Sequence, residues 1–378
     1  MFTLLEALVL QPSSSRCKKG VDAVGALLAE SLRSSGMSLT IDHQSEVGDH
    51  LLFRSPACRD GQPGIQTGIL LFGHMDTVFP ADSPFNWYKE AEDKVYGPGV
   101  IDMKGGLVCA VYAIKALAEC GLLAEIPLTF LCNSDEEIGS PTSSAIVTAE
   151  AKKSLLALGF ECGGLQGEVV TGRKGKLGYR LVVSGKAGHA ASAGAAGSNK
   201  ASAILELAHK IIALEQLNDR ERGIVVNVGL IQGGIGPNTV ADKAMAEIDT
   251  RFLSGADAED TAWRINRIAS QCTVAGTTAE LLKIGERFPM EQNSGNSCLF
   301  QTIRHEAERL GMACVEELRS GVSDANTIAR AGIPVVDGMG PIGACDHSDR
   351  EYMIRKSLPA RAGLAACSIL GSWENFHL

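Results

Sequence analysis

Residues 68–78 read GILLFGHMDTV. An apolar run this short, closed by glycine at both ends, is too brief for a helix and reads as a buried strand. It leads directly into His74 and Asp76. Two later runs end the same way. Leu128–Cys132 passes into NSDEEIGS, and Ser154–Phe160 (SLLALGF) passes into Glu161. Helical patterns lie among these runs. Val21–Ser35 places Val21, Val24, Leu27, Leu28 and Leu32 on one side. Gly106–Glu119 is small and apolar all round, which suits a helix packed on both sides. Strands alternating with helices predict an α/β domain: a mainly parallel sheet with helices on both faces. Ligands of such sheets bind beyond the carboxyl ends of the strands, where the histidine and acidic clusters stand.

Past Gly172 the pattern changes. Tyr179–Ser184 alternates, Ser198–Leu217 is helical, Ile224–Ile231 alternates and Lys243–Leu253 is a strand. Asp257–Cys272 is helical and Ala279–Glu286 is a last strand. This β-α-β-β-α-β order predicts an inserted α+β domain, a four-stranded antiparallel sheet with two helices on one face. The alternation then resumes with a helix at Ser297–Leu310, a short strand at Pro334–Asp337 and a helix at Leu358–Gly371. The expected organisation is a discontinuous catalytic domain, 1–172 and 290–378, with an inserted domain, 173–289, serving as lid and dimerisation element. Gly172, Gly175, Pro289 and Gly295 mark the expected hinges.

Composition narrows the function. The chain has 378 residues and a formal charge of -9. A net negative surface repels phosphate, so nucleic acid and acidic membranes are poor partners. No run of 18 uncharged apolar residues spans a membrane. The opening MFTLLEALVL lacks a basic flank and a cleavage site, and reads as a first helix rather than a leader. Eleven cysteines, an odd number with no CxxC pair, suit a reducing cytoplasm. Glycine, at 42 residues, is about 11% of the chain against a usual figure near 7%, as in enzymes with loop-built sites.

Five motifs carry chemistry: GHMDTV (73–78), GPGVIDMKGG (97–106), NSDEEIGS (133–140), FECGG (160–164) and CDHSD (345–349). Together they offer two imidazoles and three carboxylates, a ligand set for a pair of borderline divalent ions, typically Zn²⁺. No cysteine occupies a matching position. Asp76, two residues after His74, is placed to accept the second ring N–H of that histidine and fix its tautomer. His43, His50, His209, His305 and His377 lie outside the motifs and read as surface or core residues.

The motifs, their order and the inserted segment resemble the M20 family of metallopeptidases over essentially the whole chain. Through VVTGRKGKLGYRLVVSGKAGHA (169–190) the likeness is greatest to the glutamate-carboxypeptidase-like branch, related to acetylornithine and succinyl-diaminopimelate deacylases and to aminoacylases. The resemblance implies that Asp102 bridges two metals. His74 and Glu161 would complete one site, and Glu137 and His347 the other. Zn²⁺ is the expected metal, two per subunit, with Co²⁺ or Mn²⁺ as substitutes. Glu136 would be the general base and Asp76 would orient His74. His189 would help hold the oxyanion, and Asn238 and Arg251 would grip the substrate's carboxylate end. Family members with Asp at the Glu161 position lean toward aminopeptidase-like specificity, and Glu favours carboxypeptidases and deacylases. A cis peptide is implied after Asp102.

The expected reaction is amide hydrolysis in a small peptide or N-acyl amino acid by a hydroxide held between two metals, with carboxypeptidase action first. N-acyl-amino-acid deacylation and di- or tripeptidase action share that chemistry. A metal-free binding protein on the same fold would be expected to lose a ligand or the base, and here all of them are present. A homodimer through the inserted domain is expected, because an open sheet edge invites pairing. His189 would then come from either subunit.

Overall fold

A computed structural model of the chain describes residues 1–58, 67–191 and 200–376. These form two compact units. The first comprises Met1–Gly172, Gln292–Arg319 and Ser323–Leu378; the second comprises Arg173–Glu291 with Ser320–Val322.

The first unit is built on a six-stranded sheet. In spatial order its strands are Ser38–Asp42, His50–Arg54, Leu128–Asn133, Ile69–His74, Leu156–Gly159 and Val335–Val336. The last four run parallel, and the first two are antiparallel additions at one edge. Those two additions are missing from the sequence reading. Ser38–Asp42 is an exposed edge with no apolar run, and only one short stretch of His50–Arg54 is apolar. The central strand reaches His74, two residues beyond its last large apolar side chain. Parallel pairing sets His74 opposite Asn133, and Phe160 N–H donates to Phe72 O at 3.1 Å. The carboxyl ends of three strands are therefore level, so His74, the Glu136–Glu137 turn and Glu161 emerge at one edge.

Helix Lys104–Glu119 is buried on nearly every side and packs against helix Ser357–Phe376. Each large apolar side chain fully buried here contributes roughly 1.5–3 kcal/mol. The approach of Lys104–Glu119 to the sheet depends on glycine. A Cβ on Gly106 would lie 1.8 Å from Phe160 O, the carbonyl just before Glu161. The peptide between Asp102 and Met103 is cis, as the resemblance implies.

In the second unit the strand order is Val225–Gly233, Lys243–Phe252, Gly175–Ser184 and Thr278–Arg287, all antiparallel. Period-two burial along Lys243–Phe252 turns Ala244, Ala246, Ile248, Thr250 and Phe252 inward. Helices Ala203–Glu215 and Gly255–Ser270 pack on this sheet. Each is capped by a serine side chain, Ser202 and Ser254, accepting a backbone N–H of the first turn. Buried Lys210 pairs with Glu206 at 2.9 Å and donates to Ile268 O and Ala269 O, closing the end of the neighbouring helix. A small ribbon pairs Gly188–His189 with Thr239–Val240. The first residues of the expected Ser198–Leu217 helix, and His377, lie outside the described residues.

Gly106→Ala is expected to destabilise the first unit by about 2 kcal/mol, because helix or strand end must move to admit the methyl group. Urea unfolding followed by far-UV circular dichroism measures this, and an unchanged midpoint would show that the helix does not depend on that approach.

Candidate metal centre

Five side chains from five chain segments meet in the first unit. His74 ends its strand and is buried. Its Nε2 lies 3.1 Å from Asp102 Oδ1 and 3.6 Å from Glu161 Oε1. On the other side, His347 Nε2 lies 3.1 Å from Asp102 Oδ2 and 3.3 Å from Glu137 Oε2. Each oxygen of Asp102 thus faces a different imidazole, and each imidazole has a second carboxylate beside it. Asp346 also reaches this space: its carboxylate, Asp102 and His347 offer ligand atoms within 4.8 Å of one another. The sequence reading passed over Asp346 because an acid beside His347 in CDHSD carries no signal of its own.

His74 Nδ1 faces Asp76, 3.3 Å from its carboxylate and 3.0 Å from its backbone oxygen. The Asp76 carboxylate is shared with other donors as well. It accepts the Ser15 hydroxyl at 2.6 Å, Glu136 N–H at 3.3 Å and Glu137 N–H at 3.2 Å. One buried acid therefore orients His74 and holds the turn that carries both glutamates.

That turn is held from its other side as well. Asp135 accepts from the Thr142 and Ser143 backbones and hydroxyls. Behind it, Asp324 accepts from Asn133 at 2.6 Å and from Ser140 at 2.5 Å. Glu161 N–H donates to Asp337 at 3.3 Å. Arg319 donates to the carbonyl of Cys162 at 2.9 Å. None of these supports was in the sequence reading, because their partners are 100 or more residues away or sit in unmarked loops. His347 takes a left-handed backbone, φ 57°, uncommon for a residue with a side chain and typical of functional loops.

Charge crowding shifts the protonation of the whole group. Burial works against a charged His74, but hydrogen bonds to Asp102 and Asp76 and the charge of Glu161 outweigh it and raise its pKa well above the usual value. His347 is pushed up to about 11 by its hydrogen bonds to Asp102 and Glu137. Burial also works against ionised Asp102, yet both imidazoles hold it below the usual range. Glu136 is driven well up, first by burial and then by Asp324, Glu161 and Glu137. Glu137 is raised by burial, with Asp102 and Asp76 adding to it, against its hydrogen bond with His347. Every shift that departs from burial's own direction brings positive charge closer. The residues fit divalent cations on a second count: Glu137 Oε1 is buried and has no hydrogen-bond partner among the described residues, which suits an oxygen that ligates a cation.

The other expected residues lie in the second unit. His189 and Asn238 come together in the small ribbon, where Ala190 N–H donates to Asn238 O at 2.9 Å. Both side chains are on exposed residues. Arg251 is elsewhere, opposite Lys176 and Val225. Its Nε donates to Asp249 at 2.9 Å, and Asp249 also pairs with Lys176 at 3.1 Å. Along the strand, eight residues separate Arg251 from Lys243, the end nearest the ribbon, a span of roughly 26 Å.

Residues 70–370 match peptidase family M20/M25/M40. Carboxypeptidase G2 of Pseudomonas sp. (strain RS-16) is 28% identical over 375 residues, 97% of this chain and 88% of that protein. Among solved structures, aminopeptidase PepT from Bacillus cereus superposes with a TM-score of 0.78 at 22% identity, covering 98% of this chain and 97% of that one. The Bacillus subtilis YXEP protein, described as a dinuclear metal binding peptidase from the M20 family, superposes at 0.70 with 15% identity, covering 98% and 96%. At these identities the structural matches show the shared fold, and the family match covers most of the chain. The protein belongs to peptidase family M20/M25/M40, a family of metal-dependent peptide-bond hydrolases.

Proposed function

We propose that this protein is a two-metal carboxypeptidase that removes a glutamate-like C-terminal residue from a small peptide or N-acyl amino acid. The division of the Asp102 oxygens between His74 and His347 carries the two-metal part of this reading. The likeness to a carboxypeptidase along nearly the full chain supports the rest, as does Glu, rather than Asp, at position 161. His74, Asp102 and Glu161 would hold one cation; Asp102, Glu137 and His347 would hold the other, with zinc the proposed metal. When bound, such a pair lowers the pKa of water and polarises the scissile carbonyl. Glu136 takes the proton of the attacking water and returns it to the leaving amine.

His189 would donate to the developing oxyanion, a role worth roughly 3 kcal/mol in comparable sites. Asn238 and Arg251 would bind the substrate's carboxylate end. A small substrate cannot bridge the strand length between Lys243, beside the His189 ribbon, and Arg251, so we assign His189 to a partner subunit. An exposed apolar surface supports a dimer: Ile204 and Ile212 on helix Ala203–Glu215, and Ile231 on the edge strand Val225–Gly233. The cysteines, all free, support a reducing cytoplasm. No described helix is long and apolar enough to cross a membrane.

Three outcomes are expected. Without metal, His74, His347, Glu136 and Glu137 all have folded pKa values above their usual ones. A raised folded pKa gives stability that is complete below the unfolded pKa and lost as pH rises through the folded one. Metal-free protein should therefore lose stability from about pH 5 upward, with half-exposed His347 contributing least for its shift. Zinc should reverse the loss, by about 2.7 kcal/mol at one hundred times its Kd. Thermal melts at several pH values with and without zinc measure this, and a zinc-independent pH profile counts against the metal reading.

Glu136→Gln should keep metal content and fold while lowering kcat at least about 10²-fold on C-terminal-Glu dipeptides. Near wild-type turnover would remove Glu136 as the base. A panel adding N-acetyl and N-succinyl amino acids and free dipeptides tests the substrate class.

Mixed dimers of His189→Ala and Glu136→Gln subunits should regain part of the activity that each homodimer lacks. No recovery in verified mixed dimers would place His189 in its own chain's site or outside catalysis.

A further inference from the structure

Glu351 is fully buried and lies four residues after His347. Its carboxylate accepts three backbone N–H groups from the loop that carries Asp102. Gly99 N–H donates to Oε2 at 2.9 Å; Ile101 N–H and Asp102 N–H donate to Oε1 at 2.8 and 3.1 Å. The loop turns to present these donors through Gly99, whose φ of 77° is left-handed. Strand pairing sets the acid beneath the loop, since Tyr352 pairs with Tyr96 just before Gly97 begins the turn. The buried ammonium of Lys104 is directed to Gln11 O at 2.8 Å.

We propose that Glu351 is a positioning residue that fixes the Asp102 loop against the His347 segment, so that the two Asp102 oxygens stay divided between two cations. This rests on the two-metal reading above. Asp102 can face both His74 and His347 at 3.1 Å only if its backbone is held. Three convergent N–H bonds to one carboxyl group do this, and that group is tethered to the His347 segment itself. The residue therefore links the bridging ligand to one of its terminal neighbours, the usual task of groups behind a metal ligand. A carboxylate suits the position because it only accepts. A glutamine could still accept from Ile101 and Asp102, but its amide N–H₂ would face the Gly99 N–H.

The test uses the full chain and Zn²⁺ or Co²⁺ alone. Cation stoichiometry and affinity are measured by competition with a chelator, and the d–d spectrum of the Co²⁺-loaded protein reports ligand geometry. Melts of metal-free protein follow folding separately. Glu351→Gln is expected to fold with near-native metal-free stability, to bind cations at least 10-fold more weakly and to shift the Co²⁺ spectrum. Glu351→Ala should weaken binding further, up to about 100-fold. A folded Glu351→Gln protein with wild-type affinity and spectrum overturns the proposal, even if Glu351→Ala does not fold. So does a Glu351→Gln protein whose metal-free form is unstable, since the residue would then serve the fold. If the wild-type protein binds fewer than two cations, the two-metal reading fails, and this inference with it, because Asp102 would have nothing to bridge. Two cations in wild type with unchanged variants sink this inference alone.

Discussion

Crowded negative charge is the constraint around which the first unit is arranged. Asp76, Asp102, Glu136, Glu137 and Glu161 are gathered at the ends of three strands and one loop, and much of that space is closed to water. Two like charges 4–5 Å apart cost about 3–4 kcal/mol at the effective dielectric of a protein surface, and more where water is scarce. Proteins meet such a cost with protons, cations or hydrogen-bond donors, and all three solutions show here. The imidazoles between the carboxylates are driven toward protonation, and Glu136 toward neutrality. Acids that point away from the centre are held by donors: Asp135 by Thr142 and Ser143, Asp324 by Asn133 and Ser140. Asp337 takes the Ser323 hydroxyl and Gly338 N–H. An acid with donors of its own is neutralised in place. The acids aimed inward at His74 and His347 depend on positive charge in the centre.

This distinction explains what could be read from the sequence. Apolar runs ending in His74, Glu136–Glu137 and Glu161 are local signals, and the strands lie where they predict. The inserted α+β segment follows from its change of period, and each of its four long strands begins within four residues of its expected start. The edge strand Ser38–Asp42, its neighbour His50–Arg54 and helix Ser144–Lys153 are absent from the sequence reading: the first is exposed, the second is short and buried without alternation, and the helix is weakly amphipathic. The polar supports were missed for a deeper reason. Ser15, Asp324 and Glu351 are ordinary polar residues in the chain, and their roles arise only when folding brings them against Asp76, Asn133 and the Gly99–Asp102 backbone. Ligands show in sequence because their chemistry is unusual for a strand end; their supports use the commonest residues.

The second unit shows the opposite economy. Its sheet is antiparallel throughout, with register shifts in two strand pairs, and Arg251 sits near one end of its strand. Arg251 is already paired with Asp249, which also holds Lys176. If Arg251 binds a substrate carboxylate as proposed, the substrate would gain only the difference between its own bond and the one to Asp249. That pairing would lower affinity, but it would fix the guanidinium before substrate arrives, so little side-chain entropy would be lost on binding. His189 stands in a two-residue ribbon, where its Nδ1 accepts Ala191 N–H at 3.2 Å. A group that must meet a short-lived oxyanion needs firm placement. A second subunit packed against the exposed Ile204, Ile212 and Ile231 surface would supply it. The length of strand between Lys243, beside the ribbon, and Arg251 is the physical reason to propose that His189 is delivered across a dimer.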